Sequence, residues 1–69
     1  MNMDGIYVIE NEIRIYRNVR TGDEMVDRGW QSTASIAAWE ISKETGDEFH
    51  MTAINAITGE ILRESDIAA

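Results

Sequence analysis

The stretch "QSTASIAAWEISKETG", residues 31–46, decides the fold, because it is the one segment written for a helix. Ser32 is placed as an N-cap, where a hydroxyl can accept from an orphan N–H of the first turn. Ala34, Ala37 and Ala38 carry the best helix propensity. Lys43 in the last turn complements the helix dipole. Gly46 stands where a helix end wants a left-handed residue. Together these predict a helix over 33–44. Ala34, Ala37, Ala38 and Ile41 share one face at i, i+3, i+4, i+7 spacing, while Ile36 and Trp39 lie roughly opposite. If the small stripe meets a sheet, Ile36 and Trp39 sit at the margin or exposed. If those two are buried, the alanines face out.

Upstream the period is two. Ile6-Tyr7-Val8-Ile9 is a short apolar run. After Glu10-Asn11, residues Ile13, Ile15 and Val19 alternate with Arg14, Tyr16, Asn18 and Arg20. Alternation rich in β-branched and aromatic residues predicts strands, here over 5–9 and 12–20, joined by a turn at Glu10-Asn11 or continuous as one bent strand. Met25 to Trp30 alternates again and reads as a third strand paired back on the second. Downstream of the helix, Phe49, Met51 and Ala53 alternate with His50, Thr52 and Ile54. This predicts a strand over 48–56, with a helix as the runner-up, because Phe49, Ala53, Ala56 and Ile57 also fit helical spacing. A hairpin at "AITGEIL" leads to a short strand over 60–64, and the tail Ser65 to Ala69 is expected to fray. The sum is a single α+β domain over residues 1–69, with four or five antiparallel strands, one helix packed on the sheet, and the order β-β-β-α-β-β.

Thr-Gly-acid occurs three times, at Thr21-Gly22-Asp23, Thr45-Gly46-Asp47 and Thr58-Gly59-Glu60. Two copies extend to N-x-x-T-G-acid, beginning at Asn18 and Asn55, and lie between strands. This is hairpin chemistry, with glycine at a positive-φ position. A phosphate loop needs more glycines and a following helix with Lys. A calcium loop needs alternating oxygen ligands over about twelve residues. Neither pattern is present. No metal or cofactor is expected. The one histidine, His50, has no nucleophile placed near it by a recognisable motif and reads as structural. No catalytic residue is assigned.

Composition narrows the function further. There is no cysteine, so disulfides and thiolate metal sites are excluded. No apolar run is long enough to span a membrane. The opening "MNMDGIYVIENE" lacks the basic start and apolar core of a signal peptide, which makes a cytoplasmic location the default expectation. Thirteen Asp and Glu against six Lys and Arg give a net charge of −7. Direct binding to nucleic acid or to an anionic membrane is disfavoured, since both draw on Lys and Arg. A basic protein or nucleoprotein complex is the favoured partner. The acids cluster in turns, so Asp23, Glu24, Asp27, Asp47, Glu48 and Glu60 are the candidate partner-binding residues, with Ile36 and Trp39 as an apolar contact. The chain therefore reads as a non-enzymatic protein-binding module. The alternative is a self-associating structural domain, a homodimer through the helix or an edge strand.

The layout resembles the small acidic proteins that phages and mobile elements encode against host defences, anti-CRISPR proteins in particular. The likeness rests on a short acidic chain without cysteine, a meander of strands, and one Trp-bearing helix that begins "STASIAAWEIS". The resemblance implies an inhibitor that meets the basic surface of a nucleoprotein effector where nucleic acid would sit, as a DNA mimic does. No defining motif exists for that group, so it assigns no individual residue a role.

Overall fold

The computed structural model describes residues 11–68. Within them the chain forms β1 (Glu12–Asn18), β2 (Glu24–Arg28), α1 (Thr33–Thr45), β3 (Phe49–Asn55) and β4 (Ile61–Ile67). The strands make one antiparallel sheet in the order β2-β1-β3-β4. Because β2 and β3 flank β1, the chain must cross β1 to get from one to the other. Helix α1 is that crossover, so it lies across a sheet face. The expected α+β class with one helix on an antiparallel sheet is what the described residues form.

Several boundaries differ from the sequence reading. The strand expected over 5–9 falls outside the described residues; β1 already has β2 on one side and β3 on the other. The third expected strand stops at Arg28, because Gly29 turns the chain with φ 55°. The segment over 48–56 is a strand and not a helix, trimmed to Phe49–Asn55. The expected short last strand runs on to Ile67 instead of fraying at Ser65. Ile67 pairs with Phe49 and is only 5 % exposed, so burial at the far end holds the polar residues before it in the sheet. Near its start, Ile54 pairs with Ile61 and Ala53 with Arg63, which leaves Leu62 as the extra residue of a β-bulge.

The helix settles its own ambiguity. Ala34, Ala38 and Ser42, at i, i+4, i+8, are its buried residues. Ala34 and Ala38 form one core cluster with Tyr16, Phe49, Met51, Ala53 and Ile67, with Met25 and Ile41 at the margin. Small side chains let the helix sit close to the strands, and Ile36 and Trp39 are left 59 % and 45 % exposed. Gly46 closes the helix at φ 77°, its N–H donating to Ser42 O at 2.9 Å. Ser32 occupies the N-cap position, but its hydroxyl makes no capping bond. That task falls to Asp27 on β2, whose two carboxylate oxygens accept from Ala34 N–H at 2.8 Å and Ser35 N–H at 3.0 Å.

The two N-x-x-T-G-acid segments fold identically. Asn18 Oδ1 accepts from the N–H groups of Arg20 and Thr21, and Asn55 Oδ1 from those of Ile57 and Thr58. Each loop is closed by the Asn N–H donating to the carbonyl of the acid, and by the glycine N–H donating to the Asn carbonyl. In all three Thr-Gly-acid copies the threonine hydroxyl oxygen accepts from the acid's N–H, at 3.2, 3.1 and 3.2 Å. Gly22 and Gly59 lie at φ 81° and 77°, and a Cβ on either would meet nothing within 4 Å. Glycine is needed there for backbone conformation alone, a preference of about 1–2 kcal/mol over an L-residue.

Candidate functional site

The pleat sorts side chains onto two faces. Facing the helix are Glu12, Arg14, Tyr16 and Asn18 of β1 and Phe49, Met51 and Ala53 of β3, all buried. The other face carries three cross-strand rows. One is Arg28, Ile13, Ile54 and Ile61; the next is Val26, Ile15, Thr52 and Glu64; the last is Glu24, Arg17, His50 and Asp66. The helix therefore covers the more polar side of β1, and its two isoleucines lie on the uncovered side.

The polar residues beneath the helix form a network. Arg14, 8 % exposed, donates to Glu12 Oε2 at 2.6 Å and to the carbonyls of Gly29 and Gln31, both at 2.8 Å. Those carbonyls belong to the loop between β2 and α1, so Arg14 fixes the approach to the helix while Asp27 fixes its first turn. Glu12 also receives both terminal nitrogens of Arg63. The Arg63 and Arg14 guanidinium groups hold the Glu12 carboxyl below its ordinary value, against the opposing effect of burial.

The candidate partner-binding residues divide among four places. Asp23, Glu24, Asp47 and Glu48 gather at one end of the sheet, where the β1–β2 hairpin meets the start of β3. Val19 N–H donates to Glu48 O at 2.9 Å across that end. Glu60 lies in the β3–β4 hairpin at the opposite end. Ile36 and Trp39 are on the outer side of the helix. Asp27 is not on the surface at all: it is 1 % exposed and both its oxygens are engaged by helix N–H groups. A carboxylate so placed cannot meet a partner, and Asp27 leaves the list of contact residues for that reason.

The four acids at the common end are not equivalent. Asp47 accepts from Arg20 Nε and Nη2, both at 2.8 Å, and from Asn18 Nδ2 at 3.0 Å. Arg20 above all, then Asn18, pulls its carboxyl far below the ordinary range. Its charge is answered locally, and it ties the hairpin to the start of β3. Asp23, Glu24 and Glu48 are exposed, and none of them is in an ion pair among the described residues. They flank Asn18 and Val19 on a frame held by the Asn18 and Thr21 turn bonds and by the Arg20–Asp47 bridge.

No family model, no curated protein and no solved structure matches the chain. The site is therefore read from its own geometry. Among the described residues no three His, Cys, Asp or Glu side chains are grouped to hold a metal ion. No helix there is long and apolar enough to cross a membrane.

Sequence reasoning missed Glu12, Arg14 and Arg63 as a group, and Trp30, which is 69 % exposed beyond Gly29. The network leaves no local signature, because its members meet only through strand pairing. The exposure of Trp30 had a signal in Gly29, which ends the alternation one residue earlier.

Proposed function

We propose that this chain is a protein-binding module that docks a basic partner through the acidic end of its sheet. One observation carries the reading: Asp23, Glu24 and Glu48 are exposed at one end of the sheet, on either side of β1, and none of them is in an ion pair among the described residues. Fixed like charges raise the local potential and speed the approach of a basic surface. Preorganisation of the hairpin lowers the ordering cost of binding. Ile36 and Trp39, exposed on the helix, supply a separate apolar contact area. The sharpest form of the proposal is an inhibitor that occupies the nucleic-acid groove of a nucleoprotein complex, as the resemblance to anti-CRISPR proteins implies. The test is the salt dependence of wild-type affinity for a basic partner captured from lysate. Exposed charges are screened over about 10 Å at 0.1 M salt, so affinity falls as salt rises. Affinity indifferent to salt removes charge complementarity as the mechanism.

A second reading is self-association through the helix, which the exposure of Ile36 and Trp39 favours. Sedimentation at micromolar concentration separates the two. A strict monomer eliminates the second; a dimer weakened by Trp39→Ala supports it.

A further inference from the structure

His50 on β3 stands between two carboxylates of β4. Nδ1 lies 2.8 Å from Asp66 Oδ1, and Nε2 lies 2.7 Å from Glu64 Oε1. Asp66 is its direct cross-strand partner, and Glu64 is two residues back on the same face. An ionised carboxylate can only accept, and a neutral imidazole has one N–H. A neutral ring in this position would therefore set one lone pair against another. Only the imidazolium donates to both. The other charged groups of this face are Arg17, the partner of His50 on β1, Glu24 and Arg28 on β2, and Glu48, two residues before His50 in the chain. Arg17 opposes a positive ring, but the two acids of β4 are at hydrogen-bond distance and outweigh it. Asp66 first, then Glu64, raise the ring's pKa above the ordinary 6.5.

We propose that His50 is a proton-operated latch on β4: charged, it ties Glu64 and Asp66 to β3, and neutral, it must release one of them. β4 is an edge strand with β3 as its only strand neighbour among the described residues, so this side-chain tie adds to a single backbone ladder. The sign follows from linkage. With the folded pKa above the unfolded one, the latch contributes fully below pH 6.5 and is lost as pH rises through the folded value. The same step makes the open face more negative, so opening the latch and strengthening the acidic surface go together.

The chain has a single histidine, so its ring resonances are unambiguous in an NMR titration. The expected midpoint is above 6.5 in the wild type. Asp66→Asn and Glu64→Gln each lower it, Asp66→Asn further. In the wild type, amide protection factors over Glu64 to Ile67 fall about two- to fivefold as pH crosses the midpoint, the scale of an exposed ion pair. In His50→Gln, where nothing titrates, they do not. A wild-type midpoint at or below the ordinary value, or one that neither substitution moves, overturns the proposal. So does a moved midpoint with identical pH dependence of protection in wild type and His50→Gln, since the ring would then be charged without holding the strand.

Discussion

Lysine at position 27 is expected to unfold the domain. Asp27 is 1 % exposed and accepts from the first-turn N–H groups of Ala34 and Ser35. Asp27→Lys removes both acceptors, a loss of about 1–2 kcal/mol for the cap. It also places a cation at the positive end of the helix dipole and opposite Arg14 in the strand register. An uncompensated buried charge costs a further 3–5 kcal/mol or so. A single small core supplies roughly 3–5 kcal/mol in all, so a combined loss of about 4–7 kcal/mol uses up the available stability. Far-UV circular dichroism should show no cooperative melt. Asp27→Asn, which keeps one acceptor and adds no charge, should remain folded with a lowered melting temperature. A folded Asp27→Lys protein with a wild-type melt would return Asp27 to the surface and to the list of contact residues.

Glu12→Ala has the next largest expected effect, about 3 kcal/mol, at the low end for breaking a buried ion pair. The Glu12 and Arg14 side chains are 6 % and 10 % exposed, so Arg14 is poorly solvated when its partner is removed. It retains the carbonyls of Gly29 and Gln31, and Arg63, with 51 % of its side chain exposed, can be solvated. These two facts place the cost at the low end. Urea unfolding checks the size, and its pH dependence checks the cause. The folded pKa of Glu12 is depressed below 4.5, chiefly by Arg63 and Arg14. The carboxylate's contribution is thus present above pH 4.5 and lost as pH falls through the lowered value. The gap between wild type and Glu12→Ala should narrow in that acid range and stay level above it. A gap of constant size down to the bottom of the range would mean that lost packing, and not lost charge, accounts for it.

These two residues also show where sequence stops informing structure. The helix was legible because its signals are local: Ala34 and Ala38 at i, i+4, Lys43 near the end, and Gly46 with the left-handed φ it was chosen for. The strands were legible from alternation, down to which residues of β1 and β3 share a face. Alternation does not say which face the helix takes. By hydrophobicity Ile13 and Ile15 should meet it; instead Glu12, Arg14, Tyr16 and Asn18 do. The reason is pairwise. Arg14 finds Glu12 and two loop carbonyls there, and Asp27 finds the helix N-terminus. None of those meetings is encoded by neighbours in the chain. The β1–β2 and β3–β4 pairings were legible as hairpins, but the β1–β3 pairing that completes the order β2-β1-β3-β4 was not, since it depends on where α1 crosses. The end of β4 was misjudged because Ser65 and Asp66 are polar, while Phe49 and the helix decide the matter through Ile67.

The candidate site was legible in part. The Thr-Gly-acid turns were recognised as turns, and the part played by Asn18 and Asn55 emerges as two acceptor bonds in each loop. The convergence of Asp23, Glu24, Asp47 and Glu48 required the fold. So did the separation of Glu60 to the other end, and the discovery that Asp47 is matched by Arg20. Eleven of the thirteen acids lie among the described residues, and there they fall into distinct kinds. Glu12 and Asp27 hold the interior, Asp47 holds a turn, Glu64 and Asp66 hold a histidine, Glu40 pairs with Lys43, and Asp23, Glu24, Glu44, Glu48 and Glu60 are exposed without an ion pair.

The division between interior and exposed acids is the central claim, and one variant tests it most directly. Asp23 and Glu24 are reversed together to lysine, and affinity for the captured basic partner is measured on protein whose urea midpoint has been determined. Exposed substitutions of this kind usually move stability by no more than about 0.5 kcal/mol. The account predicts a midpoint within that range and an affinity weaker on the order of tenfold, carried mainly by slower association. Wild-type affinity at a wild-type midpoint would contradict it, and would leave Asp23 and Glu24 as parts of a turn with no partner to meet.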